Sequence, residues 1–181
     1  MSKFPGSPIA LVGFMGSGKT TIGKALAYRL NLRFVDLDSR IVEEAGISIP
    51  EIFQKFGEKE FRRLESDMLM RETMAGHQVI MACGGGIVES EKNRKALTEI
   101  CFTIWLDVPE KELLRRLKEE SEGRPMLSGD LASKVRMLLD RRNPSYQAVA
   151  SMRHGWTENE LPEATAEKIT TRLQESSDMS L

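Results

Sequence analysis

A glycine-rich segment near the start of the chain carries the most specific chemistry. Gly13 to Thr20 has the sequence Gly-Phe-Met-Gly-Ser-Gly-Lys-Thr, which fits the phosphate-loop pattern G-x-x-x-x-G-K-[ST] at every fixed position. An apolar predicted strand precedes it, and a predicted helix with apolar Ile22, Leu26 and Leu30 follows. The lysine would reach the outer phosphates and the threonine hydroxyl would ligate Mg²⁺. The sequence therefore predicts a nucleoside triphosphate site formed by Gly16, Ser17, Gly18, Lys19, Thr20 and Thr21.

A pair of carboxylates ends the second predicted strand. In Arg33-Phe-Val-Asp-Leu-Asp38, an extended backbone would point Asp36 and Asp38 to the same side. One of them could support Mg²⁺ through its water shell while the other holds or deprotonates an acceptor hydroxyl. The alternative is that one simply caps the following helix, and Asp38 is well placed for that.

Three consecutive glycines, Gly84, Gly85 and Gly86, directly follow the predicted buried strand Val79–Cys83. Such a run is costly in backbone entropy, so something should require bare backbone at this position. Close approach of a substrate to exposed N–H groups is one use. The alternative is a tight, mobile turn.

Several arginines lie on or near helical segments, and spacing alone does not decide their roles. Arg62 and Arg63 diverge by roughly 100° on a helix, so both cannot face one ligand. Arg62 could equally form a solvated ion pair with Glu58. Arg142 is expected to end a helix, where it could interact with the helix terminus. Arg124 lies in a polar, aperiodic segment that could close over phosphates as a loop.

Two further features resemble sites but have simpler interpretations. Ile104-Trp-Leu-Asp107 is similar to a Walker B strand, yet Val108 and Pro109 follow where a hydrolytic ATPase often carries a second acid. Asp107 is therefore interpreted as a cap at the strand end. His77 and His154 have no partner at metal-ligand spacing and are expected at the surface.

The elements that must position these residues alternate between strands and helices. Short apolar segments near residues 9–12, 33–38, 79–83, 102–107 and 149–153 are predicted as strands, each separated from the next by helical sequence. This alternation predicts a parallel sheet covered by helices on both faces, in one domain spanning residues 1–181. Ligands of such sheets bind at the carboxyl ends of the strands, so the phosphate loop, the Asp pair and the three glycines should converge on one crevice.

Composition excludes several other classes of function. The 181 residues include 26 basic and 27 acidic side chains, which is no electrostatic footprint for nucleic acid or an anionic membrane. The two cysteines form neither a pair nor a framework, so reduced thiols are expected. The apolar N-terminal segment is too short for a signal sequence or a membrane span. We therefore expect a cytoplasmic protein, and the absence of an obvious apolar patch favours a monomer.

Taken together, the motifs resemble those of the shikimate kinase family over residues 8–174. The matching segments, in order, are Gly13–Gly23, Asp36–Asp38, Phe61–Glu65, Gly84–Gly86, Arg124-Pro-Met-Leu127 and Arg142-Asn-Pro-Ser-Tyr146. The resemblance implies a three-layer P-loop kinase fold with a five-stranded parallel sheet of order 2-3-1-4-5. It further implies an acceptor-binding region at about residues 38–66 and a mobile lid at about residues 119–131.

The resemblance also implies a reaction and a role for each matched residue. MgATP would give its γ-phosphoryl group to the 3-hydroxyl of shikimate, a step in chorismate and aromatic amino acid biosynthesis. Asp38 would hold ring hydroxyls and accept the proton, Asp36 would support Mg²⁺, and Arg124 would reach the ATP phosphates. Arg62 and Arg142 would bind the shikimate carboxylate, and the backbone of Gly84, Gly85 and Gly86 would contact the substrate. Arg153 and Arg116 match positions on the adenine side of the nucleotide.

Two alternative functions remain open from the sequence. A kinase of the same fold could act on gluconate or on a nucleoside monophosphate, and phosphorylation of either would reveal it. A nucleotide-dependent switch would have no small-molecule acceptor. The guanine-binding tetrapeptide N-K-x-D of GTPases is absent from the sequence.

Overall fold

Five short strands form one sheet in the computed structural model, which describes residues 6–76, 78–121 and 130–178. The strands are Ile9–Val12 (β1), Arg33–Asp36 (β2), Val79–Ala82 (β3), Phe102–Asp107 (β4) and Met152–Gly155 (β5). Their order is β2-β3-β1-β4-β5, and each neighbouring pair is parallel. The predicted fold class and strand order are therefore confirmed.

Helices connect successive strands and cover both faces of the sheet. Within the described ranges they are Lys19–Leu30 (α1), Leu37–Ala45 (α2), Ile49–Met74 (α3), Glu91–Glu99 (α4), Glu110–Ser121 (α5), Leu131–Val149 (α6) and Pro162–Asp178 (α7). A short 3-10 helix, Ile87–Glu89, follows β3 and the glycines. None of the helices described is both long and apolar enough to cross a membrane.

Each face of the sheet has its own hydrophobic cluster, because successive side chains of a strand point to opposite faces. Ile9 and Leu11 of β1 lie in one hydrophobic cluster with residues of α1 and α7. Ala10 and Val12 lie in the other cluster, with residues of α2, α3, α4 and α6. Both faces of β1 and β3 are fully buried, so the central strands are held rigidly and their carboxyl ends form a firm base for a site.

Helix α3 contains a break that divides it into two pieces. Its start is fixed by a capping box, in which Ser48 accepts a hydrogen bond from the Glu51 amide and Glu51 accepts one from the Ser48 amide. Gly57 has non-helical angles (φ 80°, ψ 170°) and interrupts the helix. The second piece buries Phe61 and Met68 in the core and carries Arg62 and Glu65.

Two expected boundaries were wrong. The second strand ends at Asp36, and Asp38 lies in the first turn of α2, so the two carboxylates do not share an extended segment. Asp36 itself caps α2, because its side chain accepts a hydrogen bond from the Ser39 amide at 3.1 Å. Helix α6 continues past Arg142 and through Pro144, because the buried side chains of its last turns anchor it to the core.

Candidate active site

The phosphate loop connects β1 to α1 and has a backbone that only glycine adopts easily. Gly13, Gly16 and Gly18 have φ values of 146°, 77° and 89°. A Cβ on Gly13 would lie 2.7 Å from the Leu106 carbonyl oxygen, so no larger residue fits there. The loop therefore has the strand–loop–helix context that phosphate binding requires, with the N-terminus of α1 at its end.

Lys19 is held inside this loop. Its Nζ donates hydrogen bonds to the carbonyl oxygens of Gly13 (2.9 Å) and Phe14 (2.8 Å), and it lies 3.4 Å from Ser17 Oγ. Burial lowers the pKa of Lys19 to about 8, although the nearby carboxylates of Asp38 and Asp36 oppose the shift. Incoming phosphate oxygens would favour the charged form, so this ammonium group is poised to respond to an anionic ligand.

Thr20 and Asp36, the two predicted metal ligands, contact each other in the structure. Thr20 Oγ1 donates a hydrogen bond to Asp36 Oδ2 at 2.6 Å, and both groups lie at the carboxyl edge of the sheet. Within the described ranges no group of three or more His, Cys, Asp or Glu residues could bind a metal on its own. A hydroxyl and one carboxylate suit Mg²⁺, which prefers oxygen ligands and keeps several of its waters or binds substrate phosphates. The residues present therefore fit this ion.

Asp38 and Glu65 present buried carboxylate oxygens to the first of the three glycines. Among the described residues, Asp38 Oδ1 and Glu65 Oε1 are buried and have no hydrogen-bond partner. A Cβ on Gly84 would lie 2.9 Å from the first and 2.6 Å from the second, so the glycine leaves room for them. Burial raises the pKa of both groups; Asp36 adds to the shift at Asp38, and Arg62 opposes it at Glu65. These two oxygens are suited to accept hydrogen bonds from ligand hydroxyls.

Arg62 approaches the glycines from α3. Its Nη1 donates to Glu65 Oε2 at 2.9 Å, and its Nη2 lies 3.3 Å from Glu58 Oε1. A Cβ on Gly86 would lie 2.7 Å from Arg62 Cζ, so the guanidinium packs directly against this glycine. Arg63 points elsewhere and pairs with exposed acids of its own helix, as the predicted divergence requires. The Glu58 pair left open by the sequence exists, but the buried partner is Glu65.

Arg142 approaches the same glycines from α6 and is 7% exposed. Its Nε donates to Glu89 Oε1 at 2.6 Å, and its guanidinium lies 5.9 Å from the centre of the Phe14 ring. A Cβ on Gly85 would be 3.7 Å from Arg142 Nη1 and 3.3 Å from the Met15 amide nitrogen. Gly85 is thus the point where the phosphate loop, the glycines and Arg142 of α6 meet.

Tyr146 of α6 holds the backbone of the glycines through a hydrogen bond. This fully buried residue donates its hydroxyl hydrogen bond to the Gly85 carbonyl oxygen, and burial raises the pKa of the phenol. The bond satisfies one backbone carbonyl of the glycine segment and connects it to α6.

A cavity of about 250 Å³ opens beside the phosphate loop, on the side opposite the glycines. Its lining includes Ser17, Gly18, Thr21, Arg116, His154 and Trp156. Arg116 Nη1 donates to the Gly16 carbonyl oxygen at 2.9 Å, which connects α5 to the phosphate loop. Arg116 is thus in direct contact with the phosphate loop.

Other predicted residues lie outside these contacts. His154 was expected at the surface but is 9% exposed, because β5 turns it into the wall of this cavity; that expectation was wrong. Arg153 is absent from the cavity lining. It stacks 5.1 Å from the centre of the Trp105 ring and pairs with Asp107, a contact between neighbouring strands. Arg124, His77 and most of the predicted lid lie outside the described residues.

Sequence reasoning missed three residues that support the site. Glu65 is spaced i,i+3 from Arg62 and was quoted only as part of a motif, although that spacing is a signal for pairing. Glu89 is separated from Arg142 by 53 positions, so no local pattern could connect them. The Tyr146 hydrogen bond spans 61 positions for the same reason.

Comparison with known proteins gives one consistent result. The shikimate kinase family model matches residues 15–174. A shikimate kinase from Synechococcus sp. (strain RCC307) is 46% identical over 145 residues, which cover 80% of this chain and 73% of the relative. A shikimate kinase from Enterococcus faecalis is 37% identical over 168 residues, which cover 92% of this chain and 98% of the relative. The structure of Acinetobacter baumannii shikimate kinase in complex with shikimate has a TM-score of 0.84 at 34% identity and covers 93% of each chain. The chain therefore belongs to the shikimate kinase family.

Proposed function

We propose that this chain transfers the γ-phosphoryl group of ATP to the 3-hydroxyl of shikimate and so forms shikimate 3-phosphate for aromatic amino acid biosynthesis. Family membership supports the reaction, and one observation in the structure carries the proposal. The phosphate loop and Arg142 both lie within 4 Å of a Cβ built on Gly85, which supports a donor site and an acceptor site that adjoin there. Such adjacency is what direct transfer between two bound substrates needs.

On the donor side, the nucleotide phosphates would bind along the loop. Lys19 would exchange its hydrogen bonds with loop carbonyls for bonds to the outer phosphates and regain full charge as it does so. The cavity lined by Arg116 and Trp156 would receive the nucleoside. Arg124 would reach the phosphates from the lid, as the resemblance implies.

On the acceptor side, the two arginines distinguish this chain from a kinase for an uncharged acceptor. Arg62 and Arg142 converge on the glycines from different helices, and planar guanidinium groups suit a carboxylate. The backbone of Gly84–Gly86 would approach the ring closely. The buried oxygens of Asp38 and Glu65 would accept hydrogen bonds from ring hydroxyls, which fixes the orientation of the acceptor.

In the reaction, the acceptor oxygen forms a bond to the γ-phosphorus while the bond from that phosphorus to the β–γ bridging oxygen breaks. Asp38 receives the hydroxyl proton; its raised pKa makes the carboxylate a better base than an exposed aspartate. Because the transition state is loose, most of the catalysis comes from positioning and from positive charge around the moving phosphoryl group. Lys19 and Arg124 would supply protein charge there.

Mg²⁺ belongs to the same proposal. Thr20 and Asp36 would hold it, and when bound it would neutralise charge that develops on the phosphate oxygens. We further propose that residues 1–181 act as one domain and as a monomer in the cytoplasm. The single five-stranded sheet supports the assignment to one domain.

An ATP-consumption assay with a panel of acceptors tests the proposal. Shikimate, gluconate and nucleoside monophosphates are each supplied with ATP and Mg²⁺, and the product is identified by mass and by phosphorus NMR. Turnover with shikimate alone, giving the 3-phosphate, is expected. Turnover with gluconate or a nucleotide and none with shikimate would reject the assignment in favour of a related kinase, and ATP hydrolysis without any acceptor would favour a switch.

A further inference from the structure

Glu89 is a half-buried acid that lies against the acceptor side of the site, and nothing in the proposed chemistry uses it. It is the last residue of the 3-10 helix that follows the three glycines. Its Oε1 accepts hydrogen bonds from both Arg142 Nε and Arg141 Nη2, each at 2.6 Å. A negative charge so close to a carboxylate-binding arginine would by itself weaken the binding of an anionic acceptor. Its presence there needs a reason.

The geometry at Arg142 supplies that reason. A guanidinium offers two bidentate edges, one formed by Nε and Nη2 and one formed by Nη1 and Nη2. Glu89 Oε1 lies 2.6 Å from both Nε and Nη2, so it occupies the first edge. Nη1 faces Gly85, at 3.7 Å from the position of a Cβ there. The second edge is therefore directed toward the acceptor region.

The backbone of Glu89 is held firmly enough to fix this direction. Ile87 and Val88, which precede it, are completely buried. Arg94 Nη1 donates to the carbonyl oxygens of Val88 (2.7 Å) and Glu89 (3.1 Å), and the Glu89 amide donates to the Gly86 carbonyl oxygen at 2.9 Å. The acid is therefore tied to the same segment that contacts the acceptor.

The charge balance around Glu89 agrees with a supporting role. Burial alone would raise the pKa of Glu89, but hydrogen bonds from Arg141 and then Arg142 outweigh it and hold the pKa below its usual value. The carboxylate thus stays charged at neutral pH. Because Arg141 shares that charge, the cluster of one acid and two arginines keeps a net positive charge for an anionic ligand.

We propose that Glu89 is a positioning residue for Arg142: it binds the Nε–Nη2 edge so that the Nη1–Nη2 edge meets the carboxylate of the acceptor. The inference rests on the proposed function. It concerns orientation, so a neutral residue that still accepts the hydrogen bond should retain most of the effect, whereas a residue without an acceptor should not.

The test compares Glu89→Ala and Glu89→Gln with the wild type, using shikimate and shikimamide, in which a neutral amide replaces the carboxylate. Glu91→Ala is the matched control, because Glu91 is an exposed acid two positions away. We expect Glu89→Ala to raise the KM for shikimate about tenfold, the loss of roughly one charge-assisted hydrogen bond. The KM for shikimamide divided by the KM for shikimate should therefore fall in this variant. Turnover, the KM for ATP and the melting temperature should stay near wild type. Glu89→Gln should lie within about threefold of wild type for the same reason.

Several outcomes would overturn the inference. One is an unchanged acid-to-amide ratio in Glu89→Ala, and another is tighter shikimate binding in both variants, which would make Glu89 a competitor for Arg142. A third is an equal rise in the KM for ATP together with a lower melting temperature, which would indicate a structural role only. If the wild type does not phosphorylate shikimate, the proposed function fails and this inference fails with it; normal wild-type turnover with an unchanged ratio rejects the inference alone.

Discussion

Replacement of Gly86 by alanine tests the packing of Arg62 against the glycines without removing any functional group. Gly86 has φ −94° and ψ 2°, a backbone conformation that alanine adopts without strain. The new Cβ would lie 2.7 Å from Arg62 Cζ, whereas ordinary contact begins at 3.4 Å. Both terminal nitrogens of Arg62 would lie closer still, so the guanidinium must retreat by about 1 Å to restore ordinary contact.

The fold should tolerate this change, because the obstructing group is the far end of a flexible side chain. Loss of a glycine from the unfolded chain stabilises a protein by about 0.4–1 kcal/mol, which offsets the cost of moving the side chain. Acceptor binding should not tolerate it. Losing one charge-assisted contact to a carboxylate costs about 1.5–3 kcal/mol, so the KM for shikimate should rise by about ten- to a hundredfold.

Steady-state kinetics with each substrate varied, calorimetric titration of shikimate and a thermal melt together check this prediction. Gly155→Ala is the control, because a Cβ there meets nothing within 4 Å and the backbone needs no glycine. We expect Gly86→Ala to lose shikimate affinity while the KM for ATP and the melting temperature stay near those of the control. A shikimate affinity equal to that of the wild type would refute the reasoning that Arg62 must stand against Gly86 to bind the acceptor.

Four further predictions concern Lys19 and Asp38. Lys19→Met should abolish transfer and leave the melting curve almost unchanged, since burial already disfavours the charged ammonium in the folded protein; near-normal turnover would reject the phosphate-site assignment. Because the pKa of Lys19 is lowered to about 8, ATP affinity measured by calorimetry should fall as the pH rises above that value, with proton uptake on binding. Stability should respond to pH in the opposite direction. Between a pH of about 8 and the ordinary lysine pKa of 10.5, the unfolded chain binds more protons than the folded one, so the free energy of unfolding should rise with pH. Asp38→Asn should lower turnover by ~10²–10⁴ if the carboxylate takes the proton, whereas a change confined to shikimate affinity would indicate orientation only.

The parts of the fold that were predictable from sequence depend on short-range patterns. The phosphate loop is defined by eight consecutive positions, Gly13 to Thr20, and its flanking strand and helix follow from apolar spacing. The divergence of Arg62 and Arg63 follows from the helical period alone. Strand order came from the resemblance to a family, because no local pattern states which strands are neighbours.

The parts that were not predictable depend on contacts between distant segments. Whether Asp36 or Asp38 caps α2 is decided by one hydrogen bond to the Ser39 amide, and both carboxylates looked capable of it. His154 is buried because α7 and the segment before it cover β5, which an isolated histidine in a sequence does not reveal. The pairing of Glu89 with Arg142 was missed because 53 positions separate the two residues. Glu65 lies at i,i+3 from Arg62, but an acid on a helix is ordinarily solvated, so its burial was not expected.

The central claim is that one crevice, centred on Gly85, holds the acceptor against the phosphate loop. A crystal structure with shikimate and ADP bound tests this most directly. We predict the shikimate carboxylate between the guanidinium groups of Arg62 and Arg142, ring hydroxyls on Asp38, and the 3-hydroxyl facing the phosphates held by Lys19. A carboxylate directed at Asp38, or shikimate bound away from these glycines, would contradict the account.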